Sequence, residues 1–106
     1  MQDITVDELK RRVDAGEKLI VIDVREPDEY AEYNFGGKLI PLGQVMNMQL
    51  DDLEDNKEEE IIVHCRSGKR SLQACLVMEQ MGFTNLKNLV GGAMAWQEKY
   101  SDTKIN

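Results

Sequence analysis

"KLIVIDVREPDEY", residues 18–30, is the stretch whose reading decides the fold. Its first seven residues form a near-continuous apolar run, the pattern of a parallel strand covered on both faces. Pro27 then suits the first turn of a helix, because its fixed φ is already helical and its missing N–H would have no partner there. That helix is expected to end at Asn34 or Gly36. The same alternation extends outward in both directions. Upstream, "ITVDEL" (4–9) opens with a β-prone stretch, and Thr5 with Glu8 forms a capping box for a helix running to about Ala15, closed by Gly16. Downstream, "KLIPL" (38–42) reads as a short strand that Pro41 confines to an edge or end. "QVMNMQLDDL" (44–53) reads as a second helix and "EIIVH" (60–64) as another buried strand. "SLQACLVMEQM" (71–81) is helical, stopped by Gly82 with Phe83 placed for a Schellman contact. "NLKNLV" (85–90) is the last strand, and after Gly91 and Gly92 "AMAWQEKY" (93–100) makes a final helix. Strand and helix alternate with short connections, so the chain is expected to be one α/β domain over 1–106, doubly wound on a mostly parallel sheet.

Composition fits that expectation and excludes several function classes. The 106 residues match one domain, and a chain of this length buries roughly two-thirds of the surface its unfolded form exposes. No apolar run approaches the ~20 residues of a membrane span, and "MQDITVDELK" has neither the basic nor the apolar region of a secretory signal. The cytoplasm is the expected location. The net charge of -7 lies mostly in "DDLEDNKEEE" (51–60), which carries seven acids and one lysine. That block reads as a solvated helix end and loop, with a docking patch for a basic partner as the alternative. No basic stripe for nucleic acid and no basic amphipathic membrane helix is present in the sequence.

The chemistry concentrates in "IIVHCRSGKRS" (61–71). Sites on parallel sheets lie outside the carboxyl ends of the strands, and both Cys65 and the Asp23-Val24-Arg25 segment fall there. The loop's N–H groups can converge on one point as an anion-binding nest, and the following helix adds its positive end. Gly68 permits a conformation a β-carbon would resist, and Arg66, Lys69 and Arg70 bring three cations close to the thiol. Such settings lower a cysteine pKa from about 8.5 into roughly the 3.5–7.5 range. The expected product is an ionised nucleophile whose tip reaches solvent and attracts anionic substrates. His64, the only histidine, is expected on the opposite face of its strand, so no Cys-His dyad is read here. Cys75 falls inside its helix's apolar pattern and reads as core, with a resolving thiol as the alternative. Two cysteines make no disulfide framework and no zinc spacing.

Four segments in order carry a family resemblance: "ITVDEL", "LIVIDVREPDEY" (19–30), "VHCRSGKRS" (63–71) and "MGFTNLKNLVGGAMAW" (81–96). Over essentially its whole length the chain resembles the single-domain rhodanese-like sulfurtransferases. The resemblance implies a five-stranded parallel sheet flanked by helices, with no metal or organic cofactor. It implies Cys65 as a nucleophile that takes a sulfane sulfur from a small anionic donor such as thiosulfate. A persulfide would then pass that sulfur to cyanide, a thiol or a protein acceptor. The backbone of Arg66, Ser67, Gly68, Lys69 and Arg70 would surround the persulfide, with the Arg66 and Lys69 side chains holding the donor. Asp23, Arg25 and Ser71 would support the loop, Asp23 by accepting hydrogen bonds from it or by pairing with Arg70; direct substrate contact by Asp23 and Arg25 is the alternative. The chain departs from the family in "YNFGGKLIPL" (33–42), where a common histidine is absent and Lys38 stands nearby.

Two other functions compete. Cysteine phosphatases and arsenate reductases place a clamping arginine six positions after the cysteine. Here that position is Ser71, and Arg70 comes one residue early. The shorter loop suits a single sulfur better than a tetrahedral phosphate. A binding or regulatory module without turnover is the remaining alternative.

Overall fold

The computed structural model describes residues 1–105. In chain order its elements are β1 (Gln2–Ile4), α1 (Val6–Asp14), β2 (Ile20–Asp23), α2 (Pro27–Glu32), β3 (Lys38–Leu39), α3 (Leu42–Met46), a 3-10 helix (Asp51–Asn56), β4 (Ile61–His64), α4 (Lys69–Gln80), β5 (Leu86–Leu89) and α5 (Gly92–Tyr100). The five strands form one sheet in the order β1-β5-β4-β2-β3, with every pairing parallel. This is the expected single α/β domain. Among the described residues no helix is long and apolar enough to cross a membrane.

Strand alternation sorts the core into two faces. Ile22, Ile61, Val63 and Leu86 pack with Val45, Leu53, Ala74 and Met78 beneath α3 and α4. Val21, Ile62 and Leu89 pack with Leu9, Phe35 and Trp96 beneath α1 and α5. The central strands are covered on both sides, which is why β2 and β4 are apolar up to their last residues, Asp23 and His64. The local signals hold at several ends. Thr5 and Glu8 close the capping box. At the end of α4 the Phe83 N–H donates to Met78 O and the Gly82 N–H to Glu79 O, the Schellman pair. Pro41 follows β3, an edge strand.

Several boundaries differ from expectation, beginning with the strand expected over 38–42: β3 stops at Leu39, and Leu42 already opens α3. The segment 44–53 is not one helix: α3 stops at Met46, Met48 adopts φ 58°, and a 3-10 helix follows. Val45, Leu50 and Leu53 are all buried in the same cluster. In an unbroken α-helix Val45 and Leu50 would point about 140° apart, so the break lets both face the core. α2 ends at Glu32, before Asn34, because Tyr33 turns extended and offers its carbonyl to Arg25. α4 begins at Lys69, two residues before Ser71, so Lys69 and Arg70 belong to its first turn.

The register brings the site together. Asp23 lies opposite His64 at the carboxyl ends of β2 and β4, so Val24 and Cys65 emerge side by side.

Candidate active site

Cys65 follows β4 directly and faces the α3 and α4 side, within the cluster that includes Val63 and Ala74. The chain then turns sharply through 66–68 to start α4. Gly68 caps that helix at φ 112°, a left-handed conformation that turns its N–H back toward the sulfur at 3.1 Å. From the first turn of α4, the buried Ser71 brings its Oγ to 3.4 Å from Sγ. Burial alone would raise the thiol's pKa. The Ser71 hydroxyl and the backbone N–H groups of Ser71, Gly68 and Ser67 outweigh it, and the thiol sits below its ordinary value.

The loop is held from outside by main-chain contacts. At the start of α5 the Ala93 N–H donates to Cys65 O at 2.8 Å and the Met94 N–H to Arg66 O at 3.0 Å. Gly92 directly precedes them at φ 56°, where a Cβ would stand 2.3 Å from Cys65 O. Only glycine allows α5 so close to the loop, a role invisible in a sequence reading that used Gly91 and Gly92 as a helix start. Just after β2, the Val24 N–H donates to His64 O at 2.9 Å.

Side chains complete the frame, and here several expectations are corrected. Asp23 is fully buried and accepts from Arg25, through its backbone N–H, its Nε and, at 2.7 Å, its Nη2. Arg25 also donates to Tyr33 O at 2.8 Å. Asp23 therefore fixes Arg25 and α2; among the described residues it takes no hydrogen bond from the loop and no pairing from Arg70. Arg70 forms instead a bidentate pair with Glu29 of α2, at 2.7 and 2.9 Å. The Arg70 guanidinium holds the Glu29 carboxyl well below its usual range, at about 2. Glu29 was not singled out from the sequence; its only signal was its place one turn into the helix that Pro27 starts.

A second correction concerns access. The thiol was expected to reach solvent, yet Cys65 is 1% exposed. The same turn that points N–H groups inward closes over the sulfur, so polarisation and burial come together. A cleft of about 450 Å³ opens beside the loop, lined by Arg25, Glu29, Tyr33, Arg66 and Met94 among others, but not by Cys65 itself. Arg66, Ser67 and Lys69 are exposed, and among the described residues neither Arg66 nor Lys69 has an ion-pair partner.

His64 stays off the sulfur as expected. Its ring is buried on the other face, 4.5 Å from Phe35, with Nδ1 3.3 Å from Cys65 O and Nε2 3.7 Å from Asp23 Oδ2. Burial pushes its pKa down, opposed by Asp23. Cys75 is core, fully buried in α4, with its thiol pushed up to about 12 by burial. In the acidic block, Asp52 pairs with Lys38 at 2.6 Å, Glu54 with Lys57 at 3.2 Å and Glu60 with Arg12 and Lys87, while most of its residues are exposed.

Comparison with known proteins agrees with this architecture. Residues 5–99 match the model of the rhodanese-like domain. A sulfurtransferase of Allochromatium vinosum is 32% identical over 99 residues, covering 91% of this chain and 88% of its own. Among solved structures, a rhodanese-like domain protein from Staphylococcus aureus superimposes with TM-score 0.82 at 31% identity, over 99% of this chain and 100% of its own. The human single-domain sulfurtransferase TSTD1 gives TM-score 0.77 at 25% identity, over 93% and 97%. A shared sheet order would be weak ground by itself; with the family model spanning nearly every element from α1 to α5, this chain belongs to the rhodanese-like domain family, whose relatives are named for sulfur transfer.

Proposed function

We propose that the protein moves a sulfane sulfur from thiosulfate, or a donor like it, to a thiophilic acceptor through a persulfide on Cys65. The Cys65 thiolate attacks the outer sulfur of thiosulfate. An S–S bond forms, the sulfur–sulfonate bond breaks, and sulfite leaves with the electron pair. Cyanide or a thiolate then attacks the outer sulfur of the persulfide, and Cys65 departs as the thiolate again. The observation that carries this reading is the set of hydrogen-bond donors around Sγ, which favours the ionised sulfur in spite of its burial. The backbone of Arg66 through Arg70 would surround the outer sulfur, which extends about 2 Å beyond Sγ. The exposed Arg66 and Lys69, neither ion-paired among the described residues, would hold the anionic donor. Because the bare sulfur is closed in, the loop has to yield at Ser67 and Gly68 for the donor to arrive. Two free thiols fit a reducing compartment, and we assign the reaction to the cytoplasm.

Arg70 bears on the phosphatase alternative. Its guanidinium is committed to Glu29 and is not free to clamp an oxyanion, which favours sulfur over phosphate. A second reading, a binding module without turnover, rests on the burial of Cys65. Incubation with thiosulfate separates the two: mass spectrometry should find one added sulfur at Cys65, discharged by cyanide as thiocyanate and absent from Cys65→Ser. No added mass on the folded protein would favour the module.

A further inference from the structure

Asn88, near the end of β5 and level with Val63 of β4, is a buried polar residue in the middle of the sheet. Its side chain closes a ring of hydrogen bonds around the sulfur. Asn88 Nδ2 donates to Gly68 O at 3.3 Å, and Asn88 Oδ1 accepts from Ser71 Oγ at 2.5 Å. Ser71 Oγ lies 3.4 Å from Sγ, and the Gly68 N–H returns to Sγ at 3.1 Å. The orientation of the amide follows from chemistry. A carbonyl oxygen can only accept, so Nδ2 must face Gly68 and Oδ1 must face Ser71. With the thiol neutral, Ser71 then donates its single hydrogen to Asn88.

That single hydrogen is the crux. In the neutral thiol every group in the ring is satisfied, with S–H donating to Ser71 Oγ and Ser71 O–H donating to Asn88. When Cys65 loses its proton, Sγ becomes an acceptor, and the Ser71 hydroxyl can serve it only by turning away from Asn88. We propose that Asn88 is a positioning residue: it competes with the sulfur for the hydrogen of Ser71 and so couples the charge on Cys65 to the anchoring of Gly68. The inference rests on Cys65 being the sulfur that reacts. Other charged groups surround the ring without entering it: Asp3 of β1, opposite Asn88 in the register, Asp23 at the end of β2 and Arg25 just after it, Glu29 from α2 through Arg70, Arg66 from the loop, Lys69 and Arg70 from α4, and His64 on the opposite face. α3 carries no charged residue.

The test is the pH dependence of alkylation at Cys65, followed by mass spectrometry, with the Asn88 side-chain amide followed by NMR in the same protein. In the wild type the amide resonance should titrate with the midpoint of Cys65 alkylation. Asn88→Leu should free the hydroxyl and lower that midpoint by about half a unit or more, the scale of one neutral hydrogen bond. Asn88→Asp, a stronger acceptor with a charge, should raise it. In a Ser71→Ala background the effect of Asn88→Leu should vanish. An amide resonance that stays flat through the thiol titration would overturn the proposal, and so would an equal shift in both backgrounds. Should Asn88→Leu fail to fold, the wild-type resonance decides. Alkylation needs no sulfur donor, so a wild type that forms no thiocyanate but has the shared midpoint would sink the transfer reading and leave this coupling standing.

Discussion

The two cysteines lie ten residues apart in one hydrophobic cluster, Cys65 at 1% exposure and Cys75 at 0%, yet their thiols are driven in opposite directions. Cys75 is surrounded by α4 and core side chains, and burial pushes it up to about 12. Cys65 suffers the same penalty, but Ser71, Gly68 and Ser67 turn donors toward it and bring it below the ordinary value. Burial sets the cost of charge in both places. The direction of the nearest N–H and O–H groups decides the sign.

The largest test of that contrast exchanges the thiols one at a time. Cys65→Ala should abolish thiocyanate formation, whereas Cys75→Ala should keep the activity and cost about 1–2 kcal/mol in urea unfolding, for a small cavity. Equal activity loss in both would erase the distinction. Next, Gly92→Ala should force α5 off the loop carbonyls. The expected results are a fall in turnover of about a hundredfold, as for misplaced catalytic groups, and a stability loss of about 2 kcal/mol or more. Near-normal turnover would mean that the loop holds its donors without α5.

A smaller effect is expected at Glu29→Gln, which weakens the hold on Arg70. Glu29 has its folded pKa depressed to about 2, so the stability it contributes is present above the ordinary carboxylate pKa and is lost as pH falls from about 4.5 toward 2. Both side chains are about one-third exposed, at 33% and 29%, so solvent discounts the pair to about 1 kcal/mol at neutral pH. The glutamine variant should lack that acid-side slope in thermal melts between pH 2 and 5; a slope as steep as the wild type's would remove the pair from the account. Smallest is Lys69→Glu, on an exposed side chain. It should raise the KM for thiosulfate a few-fold with no change in Tm, and an equal loss of both would make the lysine structural.

Much of this was legible in the sequence, for identifiable reasons. Strands such as 61–64 declare themselves because a strand covered on both faces is mostly apolar, here Ile61, Ile62 and Val63 before His64. "CRSGKRS" announced its chemistry because a glycine and a helix start directly after a strand can point backbone donors at one atom. The relative weight of the parts was not legible. The three nearby cations were read together with the backbone N–H groups and the helix end, yet Arg70 is turned to Glu29, and the hydrogen bonds to Sγ lower the thiol against its burial. Glu29, Gly92 and Asn88 act on the loop from 41, 27 and 20 residues away or nearly so, across contacts that only the folded sheet creates. The break at Met48 escaped notice because the stop signal in "QVMNMQLDDL" is Asn47 alone, with no glycine or proline beside it; the burial of Leu50 imposes the break.

The claim that donors, not exposure, ionise one of two buried thiols is tested most directly by alkylation rates at both cysteines in the folded protein across pH 5 to 10. The account predicts a midpoint for Cys65 clearly below the ordinary thiol value of about 8.5, with Cys75 unmodified throughout. A Cys65 midpoint at or above that value, or matching rates at the two sites, would contradict it.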